Sequence, residues 1–284
     1  MLGLWLDLRL FHLPSPELQS FIFNLTSYIS FGYIPDIMAP PKEYLLGISP
    51  EELERMRFQH GVWKHLTDGF LDRLDVGPGS RCLDVGAGPG FVTMDLRERA
   101  GSEGTVTALE PSRLYLDYVR SQAQERGWTN VETIQSNVED ALLPEGSFDL
   151  AYIRWVIDFV PDRRRFLHAV ASSIKPGGLV AIEDYFYEGL SVHPRGTDFD
   201  RMADIVRRYY HAGGGNPYAV GDVPKLLREE QFGLVQFVPQ QQVGGMESPV
   251  FRWAYKFFRL HLPMMAERGV IDAAERSAKK QKMI

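Results

Sequence analysis

Cysteine is nearly absent from this sequence: Cys82 is the only one in 284 residues. A single thiol excludes an intrachain disulfide and any zinc site built on cysteine. Its apolar neighbours Leu83 and Val85 place it in a buried strand, as a small apolar residue. Basic charge is also short, with 31 Lys and Arg against 37 Asp and Glu and a formal net charge of -6. That balance argues against a protein whose main task is gripping nucleic acid, which needs a concentrated positive face. The one basic run, KKQK at 279–282, belongs to a polar tail over 273–284 that reads as solvated. No stretch approaches the ~18 apolar residues of a membrane span. The start lacks the basic residues and unbroken apolar core of a secretory signal. The histidines show no metal-ligand spacing, so no metal is expected. These absences suit a cytoplasmic protein.

What is present is ordinary globular composition, 44% hydrophobic and 24% charged, enough for one sizeable core with a small accessory part. Residues 1–40 are rich in aromatic and aliphatic side chains, interrupted by Asp7, Arg9, Asn24 and Asp36. Three readings stand for them: a helical lid over an apolar site, a docking segment for a membrane surface or second subunit, or upstream sequence ahead of a start at Met38. From Ser49 the pattern is helical. Ser49 is a candidate N-cap, Pro50 lies in the first turn, and Glu52 has capping-box spacing. Two helical pieces are expected over 49–75. Strands and helices then alternate from Arg81 to Tyr187, which implies a parallel sheet with right-handed crossovers. Beyond it the spacing predicts helices over 197–211 and 223–233, a strand LVQFVP, a further strand near 240–244, and an aromatic-rich helix within 246–272.

The run RCLDVGAGPGFVT carries the first chemistry. Gly86, Gly88 and Gly90 fall between the end of an apolar strand and the start of a helix. In an open parallel sheet this corner lies where ligands bind, and missing side chains let backbone approach them. A dinucleotide site needs G-x-G-x-x-G, but Phe91 holds the last position; a phosphate P-loop needs Gly-Lys-Ser/Thr, which is absent. The form here, G-x-G-x-G preceded by Asp84, suits an amino-acid end: the Asp84 carboxylate attracts an ammonium group. Glu110 ends the next strand, placed to accept two ribose hydroxyls. Asn137, the amide of Val138 and the side chain of Glu139 are positioned to read an adenine edge, with Pro111 and Val138 packing on its faces. Ammonium, ribose and adenine together describe S-adenosylmethionine.

The motifs CLDVGAGPG, LEPS, SNVED, FDLAYIRWVIDFVPD and IKPGGLVAIED occur in one order and register. In these the chain resembles the class I S-adenosylmethionine-dependent methyltransferases, in their small-molecule branch. The resemblance spans roughly residues 79–184 and, more loosely, 44–239. It implies an α/β, Rossmann-like, doubly wound sheet, mostly parallel and seven-stranded, with helical N-terminal and inserted lid segments. It also implies a methyltransferase domain over 41–245, with leading helices at 49–75 and an acceptor-site insertion at 186–222. By the same resemblance Tyr44, Arg57 and Gln59 close over the methionine end of the cofactor, and Arg154 lays its backbone against it. Ala87 stands where the family often has Cys or Ser, and Asn137 where it often has Asp. The NPY at 216–218 is read as a loop, since the adenine- and glutamine-modifying branches carry their Asn/Asp-Pro-Pro-aromatic motif directly after the fourth strand, where this chain has IRWV.

The expected reaction is in-line methyl transfer to O, N or C of a small, partly apolar acceptor, by positioning and, where needed, a base. Asp184, at the end of the fifth strand, is the first candidate base, followed by Tyr187, His193 and His211. Trp155 either walls the pocket or fills the core. The alternative function is a protein that binds S-adenosylmethionine without methyl transfer, as a sensor or rearrangement catalyst. No nucleic-acid partner is expected. A homodimer through the apolar N-terminal or C-terminal helices is one expectation.

Overall fold

The computed structural model describes residues 2–12, 46 and 48–271. Tyr44, residues 13–40 and the tail at 273–284 lie outside the described residues. The elements in chain order are β1 (Leu2–His12), α1 (Pro50–Leu71), β2 (Arg81–Val85), α2 (Phe91–Ala100), β3 (Thr105–Leu109), α3 (Arg113–Glu125), β4 (Val131–Ile134), β5 (Phe148–Arg154), α4 (Arg163–Ser173), β6 (Ile174–Ser191), α5 (Asp198–Ala212), α6 (Val223–Glu229), β7 (Phe232–Val243) and α7 (Pro249–Glu267).

The short apolar runs form one sheet of order β4-β3-β2-β5-β6-β1-β7. Five strands, β4 through β6 in that order, are mutually parallel. Their middles are buried on both faces, as a helix-covered parallel sheet requires: Cys82, Leu83, Val106, Ala151, Ile153 and Ile182 are all at 0% exposure. Strand order reverses between β2 and β5, which opens a crevice beyond their carboxyl ends.

The sheet has seven strands, of which five are parallel and two are not: β1 runs antiparallel to both β6 and β7. Two expectations are corrected. The start of the chain, residues 2–12, is a strand within the sheet and not a helical lid. Alternation of apolar and polar residues, L-x-L-x-L over 2–10, is the period of a strand. Finally, the two strands expected near 234–244 are one continuous strand, β7.

The region 49–71 is one helix, since Gly69 near its end does not interrupt it. Ser49 Oγ accepts from the Glu52 amide at 3.1 Å, as the capping pattern predicts. The Glu52 side chain turns inward instead: Arg55 donates to both of its oxygens at 2.7 Å. Arg55 also donates to Gln59 Oε1 at 2.6 Å, and Trp253 Nε1 donates to the same oxygen at 2.9 Å. His261 Nε2 lies 3.3 Å from Glu52 Oε2. These buried contacts pin α7 across α1. The Trp63 and Trp253 rings meet edge to face at 5.2 Å, and Phe199 meets Phe258 in the same way at 5.5 Å. The apolar face of α7, expected to join a second copy, is spent inside this chain on α1 and α5.

Gly90 shows how the glycine turn seats α2. Its φ is +76°, and a Cβ there would lie 2.4 Å from Val119 Cγ2 on α3. A Gly90→Ala variant is expected to lose about 1–3 kcal/mol of stability, from backbone strain and overpacking. Urea unfolding should show a lower midpoint with an unchanged slope.

Candidate active site

A cavity of about 260 Å³ occupies the crevice, roofed by α1. Asp84, Gly86, Ala87 and Gly88 from the first turn, Glu110 and Pro111 after β3, and Asn137, Val138 and Glu139 after β4 all face it, together with Gln59 and Arg154. Gly90 does not; its part is the packing of α2.

The turn is held by the sheet. The Gly86 and Ala87 amides donate to Leu109 O at 2.8 and 3.1 Å. A Cβ on Gly86, whose φ is +67°, would lie 2.5 Å from Val156 Cγ2. Glu110 accepts from the Gly88 amide through Oε2 and from the Ser112 amide through Oε1, both at 2.9 Å. These bonds fix the carboxylate and leave each oxygen a lone pair. Burial raises its pKa. Asp84 accepts from Thr93 Oγ1 at 2.6 Å through one oxygen. Burial pushes its pKa up to about 7, against the lowering effects of Thr93 and Arg154. Asn137 precedes the 3-10 turn Val138–Asp140, and its side chain makes no capping bond, so its amide is not spent on holding the helix end.

The candidate bases lie elsewhere. Asp184 is fully buried and is not on the cavity wall. Its carboxylate accepts from the amides of Val156 and Ile157 at 2.9 and 2.8 Å and of Tyr185 at 2.8 Å. Burial holds its pKa at about 7. Those bonds fix the turn after β5, where Trp155 adopts a φ of +60°, a conformation rare for a bulky side chain. His193 and His211 are exposed and also off the wall. Arg57 is exposed and donates to Tyr118 Oη at 2.8 Å rather than closing over the cavity.

Other side chains stand where the sequence gave no signal. Arg55, Met56 and His60 reach the cavity from α1, and Tyr115 from α3. Their helical spacing was visible; which face of each helix met the crevice was not. On the far side Trp155, Phe159, Tyr185, Tyr210 and Phe257 form an aromatic wall. Behind Tyr185, Tyr210 and Phe257 a second hollow continues, lined by Phe186, Tyr187, Leu190, Trp253, Ala254 and Phe258, with no charged residue. No group of three or more His, Cys, Asp or Glu among the described residues is arranged to hold a metal.

The raised Asp84 pKa has a sign. The folded state holds its proton up to about pH 7, while an unpaired carboxyl releases it near 3.8. Asp84 therefore lowers stability progressively as pH rises between those values, and fully above them. An Asp84→Asn variant is expected to melt at a higher temperature than the natural chain at pH ~8, with the gain vanishing toward pH ~4.

The comparisons agree with this geometry. Residues 83–182 match the family described as "Methyltransferase domain". A ubiquinone/menaquinone biosynthesis C-methyltransferase, UbiE, of Vibrio parahaemolyticus is 28% identical over 127 residues, 44% of this chain and 48% of the relative. The chain thus spans about half the length of the curated relatives it matches. Among solved structures, a SAM dependent methyltransferase from Aquifex aeolicus superposes with a TM-score of 0.50 at 18% identity, over 68% of this chain and 99% of that one. The YcgJ protein of Bacillus subtilis gives 0.53 at 18% identity, over 76% and 88%. Sheet order, glycine turn and family match converge: the chain has the fold of the S-adenosylmethionine-dependent methyltransferases, and residues 83–182 are similar to the methyltransferase domain family.

Proposed function

We propose that the chain transfers a methyl group from S-adenosylmethionine to a small, partly apolar acceptor. The observation that carries this is one continuous cavity. Asp84, Glu110 and the segment 137–139 stand along it in the order of an ammonium, a ribose and an adenine, and it runs on into an aromatic wall. The residues fit the cofactor. Asp84 keeps one oxygen for an ammonium, Glu110 keeps lone pairs for hydroxyls, and Gly88 is so near Met56, with a Cβ at 3.1 Å from its Cε, that a side chain there would crowd the cradle.

When bound, the cofactor supplies a methyl group already activated by its sulfonium. The chain has to hold the acceptor in line and keep water out. Trp155, Tyr185, Tyr210 and Phe257 do both, packing flat apolar surface at the end of the cavity next to Arg154. Burial raises the pKa of Tyr210 well above its usual value, so it stands there as a neutral hydroxyl. His60 is no base: burial and the nearby Arg154 charge depress it to about 3, and its Nδ1 accepts from Arg154 at 3.0 Å. With Asp184, His193 and His211 away from the wall, positioning is the main catalytic device. The relatives named for ubiquinone and menaquinone biosynthesis support an apolar acceptor. The acceptor atom is oxygen, nitrogen or carbon. The lone buried cysteine supports a reducing, cytoplasmic setting.

Calorimetric titration tests the cofactor. S-adenosylmethionine should bind the purified chain, and Asp84→Ala and Glu110→Ala should each weaken it at least tenfold. Because an ammonium favours ionised Asp84, affinity should rise as pH increases toward about 7, by at most about tenfold per unit. A pH-independent affinity counts against the Asp84 assignment. A screen of apolar acceptors for S-adenosylhomocysteine release then separates transfer from mere binding. Phe257→Ala should raise KM for an active acceptor several-fold while leaving cofactor affinity unchanged. His193→Ala and His211→Ala should alter turnover by no more than a few-fold; a larger loss in either restores it as a base.

A further inference from the structure

The aromatic wall of the cavity is not its far boundary. Tyr185, Tyr210 and Phe257 line the cavity on one side and the second hollow, of about 30 Å³, on the other. No described residue around that hollow is charged. Its polar edges are largely engaged: Trp253 Nε1 donates to Gln59 Oε1 at 2.9 Å, and the hydroxyls of Tyr187 and Tyr210 hydrogen-bond each other. A water there would find few of the two to four polar partners it needs, so the space favours hydrocarbon.

The rings around the hollow are held in place. Tyr185 stacks on Trp155, with centroids 5.8 Å apart and planes at 19°, and on Trp253, at 6.3 Å and 11°. Phe257 packs against the His261 ring at 4.5 Å and under the Arg55 guanidinium at 5.6 Å. Protein interiors keep few voids larger than a water, because the atoms lining a void forfeit contacts. An apolar void with a fixed lining, beside a ligand cavity, regains those contacts when a ligand fills it.

One residue makes the room. Eight of the nine described residues lining the hollow carry a ring or a branched chain; the ninth is Ala254. It is buried and precedes Phe257 and Phe258 on α7 by three and four residues, so all three share a helix face. A methyl group thus stands where its helical neighbours present rings. At about 10–15 Å³ for each water-sized group, 30 Å³ admits about two or three such groups. A charged or strongly polar group would be buried there without partners, at a large cost.

We propose that the hollow receives a short, uncharged hydrocarbon branch of the methyl acceptor, and that Ala254 sets how long a branch is admitted. The acceptor is then a flat group against the aromatic wall, bearing a branch of about two or three carbons. This rests on the methyl-transfer reading above.

Calorimetry on the full chain tests it with S-adenosylhomocysteine and, separately, with neutral 4-alkylphenols from phenol to 4-hexylphenol. Affinity of the natural chain for the phenols should rise about fourfold per added carbon over the first two or three carbons and then level off. In Ala254→Leu that rise should disappear, with phenol itself bound within about twofold of the natural chain. Leu190→Ala shortens another lining side chain and should move the plateau to longer branches, a gain that a misfolded variant does not show. S-adenosylhomocysteine affinity should change less than twofold in both variants. An equal rise in the natural chain and in Ala254→Leu would overturn the proposal and put the branch elsewhere on the wall. A flat series in the natural chain, or no binding of any phenol, would overturn it too and make the hollow a packing void, whatever S-adenosylhomocysteine does. A natural chain that shows the expected phenol series but does not bind S-adenosylhomocysteine supports the hollow as a site for a ligand's branch and sinks the methyl-transfer reading.

Discussion

Five carboxyl groups are buried at the carboxyl end of one sheet: Asp84, Glu110, Asp158, Glu183 and Asp184. Burying an uncompensated charge is prohibitive, so each must be neutralised by a donor, a cation or a proton. The local structure is the set of solutions. Glu110 is held by backbone amides of the turn it helps to shape. Asp184 gathers the three amides that fix the bend after β5. Glu183 takes hydroxyls from Thr67 on α1 and Tyr152 on β5, tying roof to sheet. The Asp158 carboxyl has no hydrogen-bond partner among the described residues; burial and the adjacent Asp184 raise its pKa well above the usual range. Asp84 and Glu110 are the two that line the cavity, both with pKa values raised by burial and both with acceptor capacity left over. Among five similar acids, the cavity-facing pair is set apart by what its neighbours fail to supply.

Much of this was legible in the sequence. The five parallel strands follow from short apolar runs alternating with helical periods, and the cavity-lining turn and carboxylates from glycines and acids at strand ends. Those positions are fixed by local geometry: a turn needing φ above zero, a strand end beside the crevice. The acceptor end was less legible. Tyr185, Tyr210 and Phe257 come from β6, α5 and α7, and only the packing of those elements brings their rings to one wall. Asp184 illustrates the opposite error. The sequence places it at a strand end like Asp84, yet β6 runs on past it to Ser191 and three backbone amides consume its carboxyl; nothing local in the sequence distinguishes a carboxylate that faces a cavity from one that faces a bend.

The polar contacts between α1 and α7 bear on the acceptor end as well. Trp253 walls the second hollow on one side and donates to Gln59 on the other, while Gln59 also accepts from Arg55. The aromatic lining is therefore set by hydrogen bonds as much as by apolar contact, because a buried Oε1 with two donors admits few alternative placements of α7. The helix that brings Phe257 to the aromatic wall is fastened to the helix that roofs the cavity.

The position of β1 governs when the sheet is completed. Residues 2–12 pair with residues 179–191 on one side and 232–243 on the other, so β1 is synthesised long before either of its neighbours. At about 5–20 residues per second, that wait is on the order of ten seconds or more. During synthesis an apolar strand with two open edges is exposed while the parallel half of the sheet assembles, and pairing so distant in sequence is intrinsically slow. The segment most open to mispairing is thus β1, far in sequence from the glycine turn that lines the cavity.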